Sequence, residues 1–134
     1  MPLSLEHFLK ELVSLMKQDY PKTLRKMIED TQGLTWLQTL DSEQTLINVT
    51  ENDVIVGGTS KPKNIDVRIA LSRKTLFDLL EGGITLNDAL QTKLVEAIGK
   101  PATLLKCYRI FEQILLLSRK SPRFYFLTYK LRKN

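Results

Sequence analysis

Leu5, Phe8, Leu9, Leu12, Val13, Leu15 and Met16 recur at intervals of three and four, a spacing that gathers them on one face of a helix predicted from Leu3 to Tyr20. Pro21 interrupts or restarts the pattern, and Leu24, Met27 and Ile28 carry it to about Asp30. From Leu34 the period changes. The runs "LTWLQTL", "QTLINVT" and "DVIVGGT" are short, rich in β-branched and aromatic residues, and separated by "DSE" and "END", which suit turns. "NIDVRIALS" then alternates, with Val67, Ile69 and Leu71 on one face and Arg68 and Ala70 on the other. Four strands are predicted, the last half-buried.

Ser72 is placed to cap a helix over Arg73 to Glu81 with one apolar stripe of Leu76, Phe77, Leu79 and Leu80. Gly82 can end it in a left-handed turn. Thr85 with Asp88 forms a capping pair for a second short helix, Leu86 to about Thr92. "KLVEAIG" follows as a short strand, and Pro101 suits the first turn of a long helix over Ala102 to Ser118. Its apolar residues cover more than half of its circumference. A face that wide must meet more than one apolar surface.

Charge changes the picture at one end. Residues 119–134 hold six of the twenty bases, Arg119, Lys120, Arg123, Lys130, Arg132 and Lys133, and no acid. The rest of the chain is near neutral. Phe124, Tyr125, Phe126 and Tyr129 are interleaved with those bases, a mixture that suits an anionic membrane surface or, less expected, a nucleic acid. The alternative is a final strand or helix packed on the body with its charges in solvent.

Candidate chemistry is sparse. A single cysteine, Cys107, and a single histidine, His7, exclude a disulfide framework, and zinc or Cys/His catalysis has little to work with. The carboxylates are scattered, and Gly57-Gly58 and Gly82-Gly83 lack the spacing that cradles phosphate. No metal and no cofactor is expected. The leading segment interleaves charges with its leucines, so neither a signal peptide nor a membrane span is expected, and a cytoplasmic location follows. At 134 residues the chain is expected to form one domain that removes about two-thirds of its unfolded surface from water.

The stretch from Asp66 to Leu104, "DVRIALSRKTLFDLLEGGITLNDALQTKLVEAIGKPATL", resembles the carboxy-terminal half of the sterol carrier protein type 2 (SCP-2-like) family of lipid-binding domains. The resemblance lies in a strand ending at Ser72, then Thr75-Leu76 with Leu79 and Leu80, Gly82, Thr85-Leu86, Asp88-Ala89 and Leu90, a short strand to Gly99, and Pro101-Ala102. It is similar above all to the relatives at the end of alkyl sulfatases. One departure is Lys93, where relatives usually have glycine, so a turn with positive φ is expected to form less easily there.

The resemblance implies an α/β (α+β) fold: a mostly antiparallel sheet of about five strands covered on one side by helices, with an extra N-terminal helix. The single domain divides into an N-terminal helical segment, 1–30, a core, 33–118, and a basic aromatic tail, 119–134. It also implies an apolar tunnel for a fatty acyl chain, sterol or similar lipid, and a protein that binds without catalysing. Candidate lining residues are Trp36, Ile47, Val49, Val67, Ile69, Leu71, Leu76, Phe77, Leu80, Leu90, Leu105, Tyr108 and Phe111. Each is equally an ordinary core residue by pattern. The two short helices make sense in this fold, because a broken pair leaves a gap where one straight helix would seal the sheet. Expected partners are a hydrophobic small molecule, an anionic membrane surface, and an enzyme partner or a second copy of the chain. The competing functions are a structural or interaction module with a filled core, and peripheral membrane or nucleic-acid binding through the basic tail.

Overall fold

A computed structural model describes residues 3–58 and 64–132. Helix α1 (Leu5–Asp19) starts at Ser4, whose side chain accepts from the His7 backbone N–H, and α2 (Pro21–Thr31) has its proline in the first turn. Strands β1 (Thr35–Leu40), β2 (Glu43–Val49), β3 (Val54–Val56) and β4 (Val67–Leu71) follow. Then come α3 (Arg73–Leu80), α4 (Leu86–Gln91), β5 (Glu96–Gly99), α5 (Pro101–Lys120) and α6 (Pro122–Arg132). Among the described residues no helix is long and apolar enough to cross a membrane.

The five strands form one sheet in the order β3-β2-β1-β4-β5. Pairing is antiparallel throughout except at its centre, where β1 and β4 run parallel, Trp36 opposite Val67 and Leu40 opposite Leu71. Alternation gives the sheet an inner face. Trp36, Gln38 and Leu40 of β1 are buried beside Val67, Ile69 and Leu71 of β4, whereas Arg68 between them is exposed. The helices lie against that inner face.

The leading helices and the last one belong to the same core as the sheet. Leu5, Phe8, Leu12, Leu15 and Met16 of α1, Leu24, Met27 and Ile28 of α2, and Phe124, Leu127 and Leu131 of α6 are buried in one cluster with Trp36, Leu40 and Val67. Residues of all three predicted segments, 1–30, 33–118 and 119–134, meet in this one cluster. Arg73, at the start of α3, ties the arrangement together at one corner. Its guanidinium pairs with Glu43 and with Asp41 (3.3 Å), and Glu43 Oε1 in turn accepts the Leu5 N–H at 3.0 Å, capping the start of α1. Burial pushes the Glu43 carboxyl up, but the hydrogen bonds from Leu5 and Arg73 outweigh it and hold the group below its ordinary range.

The glycine pair breaks the helices as expected. Gly82 takes φ +80, and the Gly83 N–H reaches back to the Asp78 carbonyl at 2.8 Å, closing α3. Thr85 then caps α4 through the Asp88 N–H at 3.1 Å. At the end of α4 the turn expected to form less easily at Lys93 is nonetheless present. It adopts φ +62 with its β-carbon in place, and the Leu94 N–H bonds to the Ala89 carbonyl at 2.9 Å. A residue with a β-carbon thus takes a left-handed conformation there, at the usual steric cost.

Candidate functional site: an apolar cavity and an adjoining groove

Between the inner face of the sheet and the helices lies a cavity of about 160 Å³. Its floor is Trp36, Gln38 and Leu40 of β1, Ile47 and Val49 of β2, Val54 and Val56 of β3, and Leu71 of β4. Its roof is the apolar face of α1, from Leu5 to Met16, with Leu24, Met27 and Thr31 of α2. Leu76 and Leu80 of α3, Ile110, Phe111, Ile114 and Leu115 of α5, and Phe124 of α6 close the sides.

Among the described residues the wall holds no carboxylate, amine, imidazole or thiol. Its few polar groups are turned on one another. The Trp36 indole N–H donates to Gln38 Oε1 at 2.9 Å, Gln38 Nε2 donates to the Thr39 carbonyl at 3.1 Å, and the Thr31 hydroxyl donates to the Met27 carbonyl at 2.6 Å. A single water needs only about 10–15 Å³ of such space, but it also needs two or more polar partners. This cavity, at about 160 Å³, has the room and withholds the partners. It is suited to a small apolar group, of about the size of benzene.

A second, open groove lies on the same side of the sheet, between β5, α4 and α5. Ile69, Leu86, Leu90, Val95, Ala97, Leu104, Leu105 and Tyr108 line it, with Lys93 and Glu96 at its edge. Cys107 also lines it, and burial raises its thiol to about 11. Phe111 belongs to both walls. The wide apolar face of α5 is thus shared between two surfaces, and the break at Gly82-Gly83 sends one short helix to each: α3 contributes Leu76 and Leu80 to the cavity, and α4 contributes Leu86 and Leu90 to the groove.

Of the expected lining residues, Trp36, Ile47, Val49, Leu71, Leu76, Leu80 and Phe111 meet around the cavity. Ile69, Leu90, Leu105 and Tyr108 stand with Phe111 in the groove. Val67 is fully buried but lines neither, and Phe77 lies instead under the Arg132 guanidinium, 4.5 Å from its ring centre. The largest omission was the roof: Leu5, Phe8, Leu12, Met16, Leu24 and Met27. Their three-and-four spacing was plain in the sequence, but nothing in it says which neighbour the stripe covers. Phe124 was also missed, its role hidden among three other rings in the same stretch.

The basic candidates are mostly engaged by the body. Arg123 pairs with Asp19 (2.8 Å) and Gln18 (3.0 Å), Arg132 with Glu81, and Arg119 reaches the Leu79 carbonyl at 3.5 Å. Lys120 and Lys130 are exposed. Lys133 lies outside the described residues.

No family model matches the chain, and no curated protein does. Solved structures do. A protein described as "UbiJ-SCP2 Ubiquinone synthesis protein" superposes with a TM-score of 0.61 at 15% identity, over 85% of this chain and 90% of its own. Palmitated SCP2L2 from Aedes aegypti gives a TM-score of 0.50 at 18% identity, over 81% and 94%. A stereoselective inverting sec-alkylsulfatase from Pseudomonas sp. aligns over 57% of this chain and 13% of its own at 16% identity, with a TM-score of 0.45 that is too loose to argue from. The fold is that of SCP2 domains.

Proposed function

We propose that this SCP2-fold protein binds a lipid or similar apolar small molecule in its internal cavity and carries or presents it without catalysing a reaction. The observation that supports the reading is the wall: nearly all hydrocarbon, its polar groups internally bonded, with no titratable side chain among the described residues to do chemistry. A filled core, the competing reading, has no need of space beneath α1. A long acyl chain is the ligand class to try first, since a protein of the same fold has been solved in a palmitated form. The cavity of about 160 Å³ has room only for an apolar group of about benzene size, so such a chain enters only if the helices above the sheet move apart. An accessory role beside an enzyme acting on that lipid fits a site that holds and does not transform.

Organic extraction and mass spectrometry of the purified protein should find a long-chain lipid, and a fluorescent fatty acid should bind and be displaced by unlabelled lipid. Leu76→Trp fills the cavity and is expected to abolish probe binding while the fold survives. Leu105→Trp changes only the groove and is expected to leave it. Wild-type protein that is folded yet neither carries lipid nor binds the probe ends this reading, and sensitivity to Leu105→Trp alone moves the site to the groove.

A further inference from the structure

Helix α6 has two faces. Phe124, Leu127, Thr128 and Leu131 are buried against the body, and on the opposite side Tyr125, Phe126 and Tyr129 are 61, 64 and 55% exposed. Tyr125 and Tyr129 are four apart and Phe126 and Tyr129 three apart, so the three rings form one outward stripe. The Tyr125 and Phe126 rings meet edge to face, centroids 6.2 Å apart. The helix, "PRFYFLTYKLR", carries no acid. Lys130 flanks the stripe on one side beside Arg123, which Asp19 holds, Arg132 lies on the other side paired with Glu81, and exposed Lys120 precedes the stripe.

We propose that the outward face of α6 docks on an anionic lipid surface, with Tyr125, Phe126 and Tyr129 seated among the headgroups and the exposed Lys120 and Lys130 facing lipid phosphates. Aromatic side chains with one apolar and one wet end favour that depth, and a base near an anionic leaflet contributes roughly fivefold in affinity. The shape points the same way. An eleven-residue helix is about 16 Å long, and one convex ridge of three rings falls well short of the roughly 20–30 residues a side that a stable protein interface uses. A bilayer conforms to such a ridge. The geometry has a consequence for the cavity, because Phe124 on the inner face of the same helix is part of its wall. A surface that holds α6 from outside therefore sits one helix away from the cavity.

Vesicles need no cargo, so the test is independent of whether the cavity binds lipid. Co-sedimentation of the intact protein is compared for vesicles of phosphatidylcholine alone and of phosphatidylcholine mixed with phosphatidylglycerol. The mixed vesicles are expected to bind more tightly, and salt to weaken the binding. Lys130→Gln should cost roughly fivefold. Combining Tyr125→Ser, Phe126→Ser and Tyr129→Ser should cost more than about tenfold with an unchanged denaturation midpoint, since these side chains are exposed. Lys130→Gln alters no packed group and keeps the test open if the triple variant misfolds. Equal binding to both compositions, or unchanged binding by the variants, overturns the proposal. So does a wild-type dimer that the triple variant converts to monomer, which would make the stripe a contact between two copies. Binding of a single-stranded oligonucleotide that the variants lose, with no vesicle binding, overturns it as well.

Discussion

Phe124 of the last helix and Trp36 of the first strand border the same cavity from opposite layers, and both are buried, at 0 and 8% exposure. The end of the described chain is therefore a wall of the interior. Phe124→Ala should destabilise the protein by about 3–5 kcal/mol, the usual cost of removing a buried ring and leaving its volume behind. Urea denaturation reads the loss, and a midpoint within error of wild type would show that α6 contributes no more than a surface helix.

The two glycines at the helix break are not equivalent. Gly82 has φ +80, and a β-carbon there would lie 3.5 Å from Arg119 Nη2, whereas Gly83 has no positive φ and would meet only the Asp78 carbonyl oxygen at 3.6 Å. Gly82→Val should lose at least about 1 kcal/mol more than Gly83→Val. Equal thermal midpoints for the two variants would contradict this.

Lys93 offers the reverse experiment. Its left-handed backbone is one that glycine adopts without strain. Lys93→Gly relieves that strain at some entropic cost in the unfolded chain, and a net gain of about 0.5–1 kcal/mol is expected. A destabilised Lys93→Gly would show that the side chain earns its place at the edge of the groove.

Acid should loosen the corner where Arg73 meets Glu43. The Glu43 carboxyl is lowered in the folded state, so its contribution is fully present above the unfolded carboxylate value and is lost as pH falls through the lower, folded one. Wild-type stability is expected to decline below about pH 4.5, and Glu43→Gln, which cannot titrate, to flatten that part of the curve. Parallel pH profiles for the two proteins would remove Glu43 from the account.

Cys107 should be inert while the protein is folded. It is 1% exposed, with its thiol pushed up to about 11, so almost none is thiolate at neutral pH. A thiol reagent should label it only in denaturant. Rapid labelling of the native protein would mean that α5 opens readily from β5 and α4.

The local parts of this structure were legible because their causes are local. Ser72 and Thr85 cap α3 and α4 through the N–H groups three residues on, and the alternation of Val67, Ile69 and Leu71 marks the inner face of β4. What the sequence withheld depends on contacts between distant segments. A three-and-four stripe in α1 says that one face is buried, and only the fold shows that it covers Trp36 and Ile47 across a cavity. Phe77 and Leu76 are neighbours in one apolar stripe, yet the turn of the helix gives Leu76 to the cavity and Phe77 to Arg132. In the last stretch, four rings of similar character divide between interior and solvent according to helical phase, and that phase was unreadable while strand and helix were both open.

Space between the layers also gives the molecule a mechanical property. Hydrostatic pressure favours whichever state occupies less volume, and unfolding eliminates the internal space of a native protein. With about 160 Å³ beneath α1, the unfolding volume should fall toward the large end of the usual range of roughly −20 to −100 mL/mol. An apolar ligand bound there, as proposed above, would replace that compressible volume with close-packed hydrocarbon. The midpoint pressure for unfolding would then rise with the fraction of protein occupied, so that pressure itself reads whether the space is filled.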